Sequence, residues 1–195
     1  KLDSILVTGS LNVDNAVGVI PLSFQVVEPN PNYYTYIDLD ITLGNKPQVL
    51  CPTKNNPILS ALLVPQTKMK AKYDSYQNDF EFMSDLRIRG GKIAYIGRNF
   101  YLKEGKILFN EKNMFDPYVT LRAEMRENDD KGDPLLIVLS VENQSLSQLS
   151  PRFSSVPPKS ESEILNILGQ SIESNFELAD ESMAGQIFAS AVDLG

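Results

Sequence analysis

Alternation of apolar and polar residues with a period of two dominates the chain. In residues 36–44, Ile37, Leu39, Ile41 and Leu43 fall on one side of an extended strand, and Asp38, Asp40 and Thr42 on the other. Residues 79–89 repeat the pattern, with Phe80, Phe82, Leu86 and Ile88 opposite Glu81, Asp85, Arg87 and Arg89. Residues 118–126 do so again, with Val119, Leu121, Ala123 and Met125 opposite Thr120, Arg122, Glu124 and Arg126. Shorter stretches at 5–13, 17–27, 49–51, 68–73, 93–96, 100–102, 107–109 and 135–142 bring the expectation to about ten half-buried strands.

Turn chemistry separates these stretches at Gly44-Asn45, Gly90-Gly91, Gly97, Glu104-Gly105 and 129–133, while 29–32 reads as a longer Pro/Asn loop. Short connections predict antiparallel pairing, because parallel crossovers need a dozen or more residues. The character changes after Leu149. Residues 150–159 are rich in Ser and Pro and read as a linker, dividing the chain into a β domain at 1–149 and a helical segment at 150–195. Ser160 and Glu163 have capping-box spacing. The helix they start should bury Ile164, Leu165, Ile167 and Leu168 and stop at Gly169, and Ala184, Ile187, Phe188, Ala191 and Val192 mark a second one.

Two short helices cannot cover ten strands, which at ~4.8 Å each make a sheet roughly 45 Å wide. The sheet must cover itself, as a sandwich, a barrel or a sheet folded lengthwise into a groove. The pattern by itself favours a packed sandwich or barrel, and it leaves open whether the inner face is filled by protein or by a ligand.

Composition removes most catalytic chemistry. The 195 residues include no His and one Cys, which excludes histidine-based triads, HExxH zinc sites and thiolate metal clusters. A net charge of −7 argues against a nucleic-acid partner. The close acidic pairs Asp38/Asp40, Asp79/Glu81 and Asp129/Asp130 lie on polar strand faces or in a turn, the ordinary solvated arrangement. Lys103, Lys106 and Lys112 near Arg98 read as a solvated strand face, and Cys51 as a small buried apolar residue. No apolar run approaches the ~20 residues of a membrane-spanning helix. The start lacks both Met and a signal-peptide core, which suggests a piece of a longer chain. No enzyme activity and no cofactor are expected.

From Gly91 onward the order of motifs resembles one family. Gly91-Lys92-Ile93-Ala94-Tyr95 opens a glycine-led strand, Phe100-Tyr101-Leu102 a Phe-x-Leu strand, and Gly105-Lys106-Ile107-Leu108-Phe109 a third. Asp116-Pro117 then starts the next strand. Pro157-Pro158 is followed by Ser160-x-x-Glu163 and a Leu-rich helix closing on Leu168-Gly169. Together with the alternation at 37–44, this is similar to the C-terminal region of the TamB family across about residues 37–169.

The resemblance implies a mainly β fold: an antiparallel sheet folded lengthwise into a taco-like trough with an apolar interior, plus one or two short C-terminal helices. It implies a fragment of a periplasm-spanning envelope protein, anchored in the inner membrane when complete, that offers a hydrophobic groove for phospholipid transfer and takes part in outer-membrane protein assembly. The expected partners are phospholipid acyl chains and an outer-membrane barrel of the TamA or BamA type. The residues expected to line the groove are Ile37, Leu39, Ile41, Leu43, Phe80, Phe82, Leu86, Ile88, Ile93, Tyr95, Phe100, Leu102, Ile107, Phe109, Val119, Leu121, Ala123, Ile137, Leu139 and Val141. Ile164, Leu165, Ile167 and Leu168 are the candidates for docking a partner. The alternative is a protein-interaction module that docks on such a barrel without carrying lipid. A lipopolysaccharide bridge shares the groove architecture but is disfavoured by the helix signature.

Overall fold

The alternating stretches form strands, and the strands form one sheet. The computed structural model describes residues 3–21, 33–110, 116–129 and 131–173. Within them lie β1 (Asp3–Val13), β2 (Val17–Val19), β3 (Tyr33–Leu43), β4 (Gln48–Cys51), β5 (Leu59–Leu63) and β6 (Lys68–Asp74). They are followed by β7 (Asp79–Tyr95), β8 (Arg98–Phe109), β9 (Tyr118–Asn128), β10 (Pro134–Ser145), β11 (Arg152–Val156) and the helix α1 (Glu161–Glu173). The fold is a mainly β trough built from a single, unclosed sheet.

The sheet runs β1-β3-β6-β7-β8-β9-β10-β11, and a branch formed by β2, β4 and β5 joins it at β7. One edge of β7 makes the fork. Its first part pairs with β6, from Asp74↔Asp79 to Met69↔Ser84, and its second with β5, from Leu63↔Ile88 to Leu59↔Ile93. The other edge pairs with β8, from Ser84↔Phe109 to Tyr95↔Arg98. The β3-β6 and β2-β4 arms therefore form two wings on one spine.

Several details differ from the sequence expectation. The sheet is mixed rather than antiparallel: β1 pairs with β3, and β2 with β4, in parallel. Among the described residues, eleven strands replace the expected ten or so. β5 arises from an unassigned apolar run, and β11 from the stretch expected to be a linker. Gly90-Gly91 and Glu104-Gly105 do not turn the chain. They lie inside β7 and β8, so the segments expected at 79–89 and 93–96, and at 100–102 and 107–109, are each one long strand.

The glycines act instead as phase shifters. Buried residues of β7 change from Ser84, Leu86 and Ile88 to Ile93 and Tyr95, and those of β8 from Phe100 and Leu102 to Ile107 and Phe109. Register irregularities mark both places, at Leu62/Leu63 opposite β7 and at Leu102/Glu104 against β9. An extra residue bends a strand and keeps its apolar side inward after the bend, so two bulges at the same level of neighbouring strands crease the sheet.

True turns occur at Ile96-Gly97, where both φ values are positive, and at Asp129, whose N–H donates to the Asp133 carbonyl at 2.9 Å. The helix continues past its expected stop at Gly169, because that glycine does not adopt a positive φ. The loop at 29–32, the second half of the 17–27 strand and the second helix at 184–192 lie outside the described residues. On the outer face of the wing, Lys70 sits 3.6 Å from Asp38 and 3.9 Å from Asp40, and Lys72 sits 3.5 Å from Glu81. At this exposure such pairs add little stability and chiefly keep this face in water.

Candidate functional site

Strand register assembles an apolar floor from residues far apart in the chain. Val7, Ile37, Tyr73 and Phe80 form one row across β1, β3, β6 and β7. Gly9, Leu39, Ala71 and Phe82 form the next, and Leu11, Ile41, Met69 and Ser84 a third. The floor is only partly covered. Val7, Leu11 and Phe80 are each at least 40% exposed, whereas Ile37, Leu39, Ile41 and Phe82 are half-buried.

At the fork the floor deepens into a cavity of about 410 Å³ between the two wings. That size falls in the ~300–1,000 Å³ range of small-molecule sites. Ile41, Leu43, Phe80, Phe82, Leu86 and Phe109 contribute from the expected lining set. Val13, Ala16, Val17, Val19, Ile20, Val49, Leu63 and Met69 also line it and were not anticipated. Five of them, Val13, Val17, Val19, Val49 and Leu63, lie on β1, β2, β4 or β5, whose pairing no periodicity reveals, while Ala16 and Ile20 flank β2 and Met69 lies on β6. Phe82 and Phe109 meet edge to face at 5.0 Å and shape one wall. Gln48 is the polar side chain on the wall, and its amide donates to Ser60 Oγ at 2.8 Å.

The other end of the trough is filled by the protein itself. Ile88, Ile93, Tyr95, Phe100, Leu102, Ile107, Val119, Leu121, Ala123, Ile137, Leu139 and Val141, all expected to line a groove, are buried in one core. Leu43, Leu86 and Phe109 belong to this core while also bordering the cavity. The Phe153 ring lies 5.3 Å from Tyr95 and 6.1 Å from Phe100, and α1 closes over this end. Ile164 and Leu168 are fully buried and Ile167 nearly so; Leu165 alone of the four docking candidates is exposed. The helix thus turns three of these residues into the protein's own core.

Polar contacts hold α1 at its start. Ser160 N–H and Oγ donate to Glu163 Oε2 at 2.8 and 2.6 Å, and Glu163 N–H donates to Ser160 Oγ at 3.3 Å, the expected capping box. Phe153 N–H donates to Glu161 Oε1 at 3.0 Å, and Lys159 Nζ lies 3.0 Å from Asp129 Oδ2. The hydrogen bond and charge of Lys159 hold the Asp129 carboxyl below its ordinary range, and Ser160 does the same for Glu163.

Burial pushes the Cys51 thiol up to about 11, far from a thiolate at neutral pH. Among the described residues no three acidic, cysteine or histidine side chains converge to hold a metal ion, and no helix is long and apolar enough to cross a membrane.

No curated protein matches the chain. A family model does: the TamB C-terminal domain, over residues 28–194.

Proposed function

Because the chain belongs to the TamB C-terminal domain family, with its envelope function, we propose that its trough binds phospholipid acyl chains and passes them along the cell envelope between inner and outer membranes. The observation that carries this reading is the uncovered apolar floor of β1, β3, β6 and β7 running into the 410 Å³ cavity. Such a surface suits a hydrocarbon chain whose headgroup stays in water. Burying ten methylenes would contribute up to ~8 kcal/mol, before the cost of ordering the lipid. The test is mass spectrometry of lipid retained by the purified protein. Phospholipid bound by the native chain and lost in Leu39→Asp or Phe82→Asp variants supports the groove. An equal, background level in all three rejects it.

A second reading, docking on an outer-membrane barrel, is favoured by one feature. β1 has no partner on its outer edge among the described residues, and its eleven residues include no Lys, Arg or Pro to discourage strand addition. Replacing Thr8 with Pro should then abolish capture of a TamA-type barrel while lipid retention persists. Unchanged capture counts against β1 as the docking edge.

A further inference from the structure

We propose that α1 is a displaceable plug: an acyl chain that fills the open cavity can extend toward β9–β11 by taking the place of Ile164 and Leu168. The inference rests on the groove reading above and adds a closed and an extended state to it.

Three observations carry it. First, the surface beneath the helix has the same chemistry as the open floor. Phe100, Ile137 and Leu139 are buried in the cluster that holds Ile164 and Leu168, and Leu86 and Phe109 of that cluster also border the cavity. The cavity wall and the seat of Ile164 and Leu168 on α1 therefore belong to one apolar cluster, with Leu86 and Phe109 common to the cluster and the cavity wall. Second, the helix fills its site with three aliphatic side chains on one face, Ile164, Ile167 and Leu168, the kind of apolar side-chain contact that an acyl chain can replace.

Third, α1 is attached by side chains. Strand pairing ends at Val156. Beyond it, Lys159 with Asp129, Glu161 with the Phe153 N–H, and Lys159 N–H with Ser155 Oγ at 3.0 Å tie the helix down. Moving α1 away breaks these contacts but removes no rung of the sheet. It also uncovers the Phe153 N–H, so the free edge of β11 and the closed end of the trough open together.

The test is hydrogen exchange and native mass spectrometry on the full chain, with dodecanoate below its micellar concentration as probe. A Lys159→Met/Glu161→Gln double variant loosens the attachment, and Leu165→Gln on the exposed side of the helix is the control. If α1 is a plug, dodecanoate raises exchange across 161–169 by roughly tenfold, the signature of local opening. The double variant then binds more dodecanoate per chain than the native protein, and the control does not. Protection of β3 and β6 by dodecanoate, with 161–169 and the stoichiometry unchanged in the double variant, makes α1 a fixed wall and overturns the plug alone. Failure of dodecanoate to protect β3 and β6 in either protein overturns the groove reading itself.

Discussion

Gly91 passes so close to Ala61 that a Cβ on the glycine would sit 2.9 Å from the Ala61 Cα, and closer still to the Ser60 carbonyl oxygen. Its φ is +134°, where side chains are strained. The contact lies where β7 exchanges β6 for β5, so the fork of the sheet depends on it. Gly91→Ala should destabilise the fold by about 3 kcal/mol, strain and clash together, in urea unfolding. Gly97→Ala supplies the comparison. That glycine has φ +66° but open space around it, and its loss should cost about 1 kcal/mol.

Ile164 and Leu165 adjoin in sequence and differ completely in surroundings: the first is fully buried and the second is 37% exposed. Truncating Ile164 to Ala should cost about 2–4 kcal/mol if the helix stays in place. Leu165→Ala should stay within about 0.5–1 kcal/mol. Thermal midpoints of the two variants check the assignment. Equal, small shifts would mean that the helix is not seated on the core.

How far the sequence reveals the fold depends on the range of the interaction involved. Alternation at 37–43, 80–88 and 119–125 reports whether one face is buried: Leu43, Leu86, Ile88, Val119, Leu121, Ala123 and Met125 are buried, Ile37, Leu39, Ile41 and Phe82 are half-buried, and Phe80 is exposed. The capping box of Ser160 and Glu163 is local chemistry and forms as its spacing predicts. Partner choice is not local. The parallel pairing of β1 with β3 depends on how the chain crosses between them, and the cavity walls at Val17, Val19, Val49 and Leu63 depend on β7 accepting two partners on one edge. Gly90-Gly91 and Gly105 illustrate the same ambiguity. A glycine suits a turn and a bulge equally well, and only the neighbouring strand decides between them. Period-two patterning is likewise identical for a residue that touches Phe100 and one that touches a ligand, which is why most of the expected groove lining lies in the core.

Cys51 provides a probe of the closed core. Its thiol is buried, with a pKa raised to about 11, so at pH 8 it is both neutral and shielded. Iodoacetamide should leave it largely unmodified in the native protein and alkylate it readily in 6 M guanidinium. Rapid labelling of the native chain, followed by intact mass, would contradict the packing of β4 on β5.

The seating of α1 should weaken in acid, and the contribution of Lys159 makes this separable from general acid unfolding. Asp129 and Glu163 both have carboxyls held below their ordinary range, by Lys159 and by Ser160 respectively. A depressed folded value means that the stabilisation is fully present above the unfolded carboxylate range near pH 4 and is lost as pH falls through the folded value. Lys159→Met removes the partner of Asp129. Native and variant proteins should therefore differ in thermal midpoint at pH 7, and the difference should shrink as the pH falls below the unfolded carboxylate range, because a protonated Asp129 has no charge left to offer Lys159. A midpoint difference that stays constant across this range would show that Lys159 acts by packing alone.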